Sequence, residues 1–146
     1  MALDVRRERV IGLPPERVAS YAMDWRHDHE WTQGIKTAEL TKPAGDGGFG
    51  LGAQVTRTAY FLGKRIDYVL EVVGYEPPAM LDMKSVAGPM PMHVTYRFER
   101  YDGGTLASIR VRGDASVYYK VAGPLMSLMV GHNLGKDLRD LDSHLT

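Results

Sequence analysis

The densest set of ionisable side chains is His27-Asp28-His29-Glu30, and two imidazoles with two carboxylates in four residues would be metal-ligand chemistry if they converged. The spacing argues against it. Two histidines two apart reach one ion only from extended backbone, whereas in a helical turn they diverge by about 200°, so the segment reads as a solvated turn. General acid–base chemistry could come from Asp67 or Glu71 with a histidine such as His93, but strand alternation puts these on outward faces. Gly45-Asp46-Gly47-Gly48-Phe49-Gly50 lacks the Lys-Ser/Thr that completes a phosphate loop and runs into a strand. It reads as a gating loop or an ordinary turn. The chain has no cysteine, which excludes thiolate nucleophiles, disulfides and Cys-ligated zinc. What remains is dispersed: the hydroxyls of Tyr60, Tyr68, Tyr96 and Tyr118, the amide of Asn133 and the guanidinium of Arg57. Such groups suit the orienting of a guest in a mostly apolar pocket, and each could equally be a hydrogen-bonded core residue.

The chain that carries them has 146 residues, enough for one ordinary domain that buries roughly 70% of its unfolded surface and too few for two independent cores. Lys plus Arg (18) cancels Asp plus Glu (18), so no net positive field favours a polyanion and nucleic acid is not an expected partner. The opening nine residues carry charges at Asp4, Arg6, Arg7, Glu8 and Arg9 with no apolar run behind them, and no secretory signal is read there. The longest apolar stretches fall far short of a membrane span. The expectation is one cytoplasmic domain over residues 1–146, with no cofactor and no metal.

The elements that would position these side chains follow from periodicity and punctuation. A strand over Leu3–Gly12 stops at Leu13-Pro14-Pro15, and Val18, Tyr21 and Ala22 then recur at helical spacing. Asp24 can cap a second short helical piece through Trp25–Trp31. Extended runs follow at Ile35–Lys42, Ala53–Leu62, Lys64–Tyr75, Met80–Val86, Met92–Tyr101 and Thr105–Gly113, with hairpin turns at Gly63 and Asp102-Gly103-Gly104. From Pro124 the period becomes helical, with Val130, Leu134, Leu138, Leu141 and Leu145 on one stripe. Whether that helix starts near Ser116 or at Pro124 stays open. Six or seven antiparallel strands and a long terminal helix bury one common face most economically when the helix lies across a curved sheet, an α+β architecture.

This order resembles the SRPBCC superfamily, the START-like or helix-grip fold, and especially its polyketide cyclase/dehydrase-like branch. The likeness rests on Leu13-Pro14-Pro15-Glu16-Arg17-Val18, Gly50-Leu51-Gly52-Ala53, Gly63-Lys64, Val72-Val73-Gly74-Tyr75-Glu76-Pro77-Pro78, Tyr96-Arg97-Phe98-Glu99 and Gly123-Pro124-Leu125, and it spans nearly the whole chain. It implies a deep hydrophobic cavity between sheet and helix, used variously to bind lipids, hormones or polyketides and in some members to cyclise them. No shared catalytic motif comes with it.

Alternation along the strands sets the expected lining. Met92, Val94, Tyr96 and Phe98 share a face, as do Ile66, Tyr68, Leu70 and Val72, then Ala107, Ile109 and Val111, and Leu81 with Met83. The parity of Val55-Arg57-Ala59-Phe61 against Thr56-Thr58-Tyr60 is ambiguous; an inward Arg57 could meet an anionic head group. On the terminal helix Gly123, Ser127 and Gly131 recur at i, i+4, i+8 near Val130 and Leu134, either for close helix–sheet contact or for a chamber, and with the family likeness the chamber is favoured. Six methionines, Met83, Met92 and Met126 among them, fall in segments this fold brings near the cavity, where they would adapt to a guest or fill core gaps. Leu125, Leu128, Met129 and His132 occupy the opposite helix face and call for a cover, either the Trp25–Trp31 segment or a second subunit in a homodimer. The expected function is binding of a small hydrophobic or amphipathic molecule (fatty acid, isoprenoid or polyketide-like). The alternatives are a polyketide aromatase/cyclase or dehydratase using the same chamber, and an interaction module with a collapsed cavity.

Overall fold

The computed structural model describes residues 3–32, 34–113 and 123–146. Strand β1 (Leu3–Ile11) turns Leu3, Val5 and Ile11 inward, with Asp4 and Arg6 exposed between them. Helix α1 (Pro15–Ala22) begins on Pro15, where a missing amide costs nothing, carries Glu16 in its first turn and buries Val18, Ala19 and Ala22. The Asp24 side chain then accepts the Arg26 backbone N–H at 3.0 Å and starts a 3-10 turn (Trp25–His27) that runs into the single-turn helix α2 (Asp28–Trp31).

Six further strands, β2 (Ile35–Lys42), β3 (Gln54–Phe61), β4 (Lys64–Glu76), β5 (Met80–Ala87), β6 (Met92–Tyr101) and β7 (Gly104–Gly113), join β1 in one antiparallel sheet of order β1-β7-β6-β5-β4-β3-β2. The first strand pairs with the last, Val5 opposite Val111. Two hairpins turn on left-handed pairs, Leu62-Gly63 (φ 52° and 78°) and Asp102-Gly103 (φ 47° and 80°), the geometry that matches the twist of the strands they join. Register shifts interrupt β2 against β3 and β4 against β5, and such bulges bend a strand and increase its twist.

The long helix α3 (Gly123–Leu145) buries Met126, Leu134, Leu138 and Leu141. It packs mainly on β1, with lesser contacts to β7 and α2, while α2 packs on β2. The helical layer is therefore held at both sheet edges, directly at β1 and through α2 at β2. The stretch 114–122, with Ser116 and Tyr118, lies outside the described residues. Leu125 and Leu128 are 48% and 67% exposed: the Trp25–Trp31 segment does not cover them, because Trp31 is itself buried in the core. The homodimer stays an expectation from sequence.

The α1–α2 corner is tied by polar groups. Tyr21 donates to Glu30 at 2.7 Å, His27 lies 3.1 Å from the same oxygen, and the Tyr21 and His27 rings stack at 4.3 Å. The Tyr21 hydrogen bond, then His27, holds the Glu30 carboxyl below its ordinary 4.5, and Arg26 holds Asp24 below 3.8. A depressed folded-state value gives stability that is fully present above the unfolded value and lost as pH falls through the folded one. Thermal melting should therefore decline as the solution is acidified below about pH 4.5, and less steeply in Tyr21→Phe. Parallel acid profiles for the two proteins would remove Tyr21 from this account.

Candidate functional site

Between the inner sheet face and α3 lies a cavity of about 170 Å³. Its wall is mostly apolar, because strand alternation sends Ala59, Ile66, Val94, Ile109 and Val111 to the same side, and Val130 and Leu134 close it from the helix. For scale, an engineered apolar cavity of about 150 Å³ holds one benzene.

Two ionisable side chains stand in this wall, Arg57 and Asp137. Arg57 on β3 points inward and is 4% exposed, which resolves the parity left open by sequence. It is almost wholly withdrawn from solvent and is paired with Asp28 on α2: Nε and Nη2 donate to the same Oδ2 at 3.2 and 2.8 Å. Asp28 is 2% exposed. The expectation of a solvated turn over residues 27–30 is thus corrected at this position, since the single turn of α2 sets Asp28 and Trp31 inward and His29 and Glu30 outward. Burial pushes the Asp28 carboxyl up and the Arg57 guanidinium pulls it down; two N–H donors on one oxygen favour the carboxylate at neutral pH. Burial alone would lower Arg57, but the attraction of Asp28, and then of the tyrosines, raises it.

Tyr96 on β6 accepts from Arg57 Nη2 at 3.4 Å. Burial, first, pushes its phenol up to about 12, so at neutral pH it is a protonated donor, and no acceptor for that proton is found among the described residues. The Trp31 ring lies against Tyr96, centroids 5.6 Å apart. The Trp31 indole N–H and the Thr32 hydroxyl are both buried without a hydrogen-bond partner among the described residues.

Of the side chains singled out from sequence, Arg57, Tyr60, Tyr68, Met92, Tyr96, Ile109, Val130 and Asn133 line the cavity. Met83 and Met126 are buried in the core but outside the lining, and Ser127 is also outside it. Trp31 packs behind Tyr96. Trp25 lies elsewhere, in a surface groove with Phe49, Tyr75 and Pro77-Pro78, and none of residues 45–50 reaches the cavity, so that loop is not at its mouth. Gly131 also departs from expectation: an added Cβ there would run into the Arg7 guanidinium on β1. The glycine leaves room for the end of the Arg7 side chain, and the cavity is bounded by the neighbouring sector of Val130, Asn133, Leu134 and Asp137.

Sequence reasoning missed Asp28, Thr32 and Asp137. An inward arginine in a small core demands a counter-charge, and that demand was the available signal for Asp28. His93 is paired, with Asp82 at 2.6 Å on the outer sheet face, not with Asp67 or Glu71, which bond to Thr58 and Gln54. Among the described residues no cluster of His, Asp and Glu could hold a metal, and no helix is long and apolar enough to cross a membrane.

Gly88 supports the lining from behind. Its φ is +136°, and a Cβ there would sit 2.7 Å from the Cβ of Tyr68. Gly88→Ala should cost about 1–3 kcal/mol in urea denaturation, and wild-type stability would show that the backbone relaxes freely at this turn.

The family model described as "Polyketide cyclase / dehydrase and lipid transport" matches residues 2–146. The chain belongs to that family. No curated protein sequence matches it. Similar solved structures include a START superfamily protein from Mycobacterium smegmatis (14% identity, TM-score 0.83, 97% of this chain and 96% of that one). The Zhui aromatase/cyclase from a Streptomyces species is 13% identical, with TM-score 0.80, over 99% and 94% of the two chains. A major latex-like protein from Panax ginseng is 14% identical, with TM-score 0.74, over 100% and 99%. At these identities the likeness is one of fold. This member of the polyketide cyclase/dehydrase and lipid transport family keeps the helix-grip architecture, with its seven strands, two short helices after β1 and a long last helix.

Proposed function

We propose that the chain binds a small hydrophobic or amphipathic molecule in the cavity between sheet and α3. The observation that carries this reading is an apolar chamber of about 170 Å³ in which Tyr96 offers an uncommitted hydroxyl proton beside a buried ion pair. Apolar walls supply affinity and a few fixed polar groups supply orientation. Native mass spectrometry of freshly purified protein tests it, followed by thermal shift against a panel of fatty acids, isoprenoids and aromatic ketones. A co-purified small molecule or a reproducible stabilisation is expected; a clean apo mass with no shift across the panel would refute the reading.

The convergence of Arg57, Tyr68 and Tyr96 favours a second reading, an aromatase/cyclase or dehydratase acting on a polyketide in the same chamber. Tyr96, held protonated, would hydrogen-bond the oxygen of an enol or enolate as it forms, and Arg57 would orient that phenol. Turnover of a poly-ketone chain by wild type, lost in Tyr96→Phe with folding intact, would establish it. Undiminished turnover in Tyr96→Phe would remove this role.

A further inference from the structure

We propose that Asp28 sets the charge selectivity of the cavity: by neutralising Arg57 it makes the site accept an uncharged, single-ring-sized molecule with a carbonyl oxygen and reject a carboxylate. This rests on the binding reading above and narrows it to a ligand class.

The argument is one of charge balance and of unspent donors. An arginine in a greasy pocket would ordinarily select an anion, but Arg57 directs both Nε and Nη2 to one oxygen of Asp28, and the two residues are 4% and 2% exposed. The pair is already neutral as a unit. A carboxylate entering the cavity would add a second buried anion to a single cation. It would lose its hydration and gain no counter-charge that is not already paired with Asp28.

What the wall offers instead is neutral hydrogen-bond donors. The Tyr96 hydroxyl accepts from Arg57 and keeps its own proton for a guest. Thr32, in the lining, has a buried hydroxyl with no partner among the described residues. Buried donors without partners are costly, so these groups favour a guest that brings an acceptor oxygen. A ketone, aldehyde, ester or lactone carbonyl meets that requirement without bringing charge. The volume of about 170 Å³ limits the rest of the guest to about one ring with short substituents.

The test compares three probes of nearly one shape, acetophenone, benzoate and ethylbenzene, by isothermal titration calorimetry at about pH 7. Wild type should bind acetophenone at least about tenfold more tightly than either of the others, and Asp28→Asn, which frees the Arg57 charge, should shift the acetophenone-to-benzoate ratio toward benzoate by about tenfold or more. Benzoate binding as tightly as acetophenone in wild type, or an unchanged ratio in a folded Asp28→Asn, would overturn the selectivity. Ethylbenzene equalling acetophenone would overturn the donor argument. Should Asp28→Asn fail to fold, the wild-type ratio decides alone. If none of the three binds wild type, both this inference and the underlying binding reading fall, an outcome distinct from probes that bind without discrimination.

Discussion

Arg57→Met, with Asp28 left in place, is expected to lose about 3–5 kcal/mol of unfolding free energy at neutral pH. The carboxylate of Asp28 would remain buried, 2% exposed in the wild-type structure, with its ion-pair partner gone. The double variant Arg57→Met, Asp28→Leu should recover most of that loss, because two apolar side chains of similar volume need no counter-charge. Urea denaturation of the two variants and wild type measures both terms. The deficit of the single variant should also shrink on acidification. Burial raises the Asp28 carboxyl in the folded state, so its contribution is most favourable below the unfolded value and is lost as pH rises through the folded one. A single variant as stable as wild type would mean that Asp28 reaches water or protonates without cost. The half-exposed pair of Arg6 with Glu8 at 2.9 Å is the natural contrast, since exposed pairs contribute little.

Ala59→Phe is expected to abolish guest binding while leaving the protein folded. Ala59 is 5% exposed on β3 and faces the cavity, next but one to Arg57. A phenyl ring there would occupy much of the space a single-ring guest needs, and it would do so in a void, so the usual penalty of overpacking is offset by new contacts. Acetophenone affinity should fall about 100-fold, or ~2.7 kcal/mol, with a melting temperature at or above that of wild type. Thr58→Phe, on the outer sheet face where Thr58 bonds Asp67 at 2.7 Å, is the control and should leave affinity unchanged. Equal affinity in Ala59→Phe and wild type would place the guest outside this chamber.

Much of this arrangement was legible in the chain because local rules and tertiary needs agree. The Leu62-Gly63 and Asp102-Gly103 turns fall where left-handed residues are tolerated, and the alternation in Met92–Phe98 and Ile66–Val72 names the inner faces that the structure buries. Strand order was not legible, because the β1–β7 pairing, Leu3 with Gly113 through Ile11 with Thr105, joins the first strand to the last with five strands between them in sequence. Arg57 was undecidable because both parities of β3 mix polar and apolar residues. Asp28 was hidden by its neighbours: His27, His29 and Glu30 make the segment read as solvated, and only the three-dimensional demand of Arg57 selects one of four ionisable residues for the core. The glycines of α3 were ambiguous for a related reason. A small residue marks close approach or empty space equally well, and at Gly131 the neighbour is the end of the Arg7 side chain.

The long helix is fastened chiefly along β1, while its other flank faces β3 through a shallow opening lined by Gly34, Tyr60, Phe61, Leu62, Met129, His132 and Asn133. Four of these, Gly34, Tyr60, Phe61 and Asn133, also line the chamber itself. For the proposed guest, this places a way in and out beside the β3–β4 hairpin tip, on the side away from the β1 contacts. Exchange of such a guest should be governed by the fraying of a few residues, at a free energy well beneath that of global unfolding, so that its release would leave the fold whole.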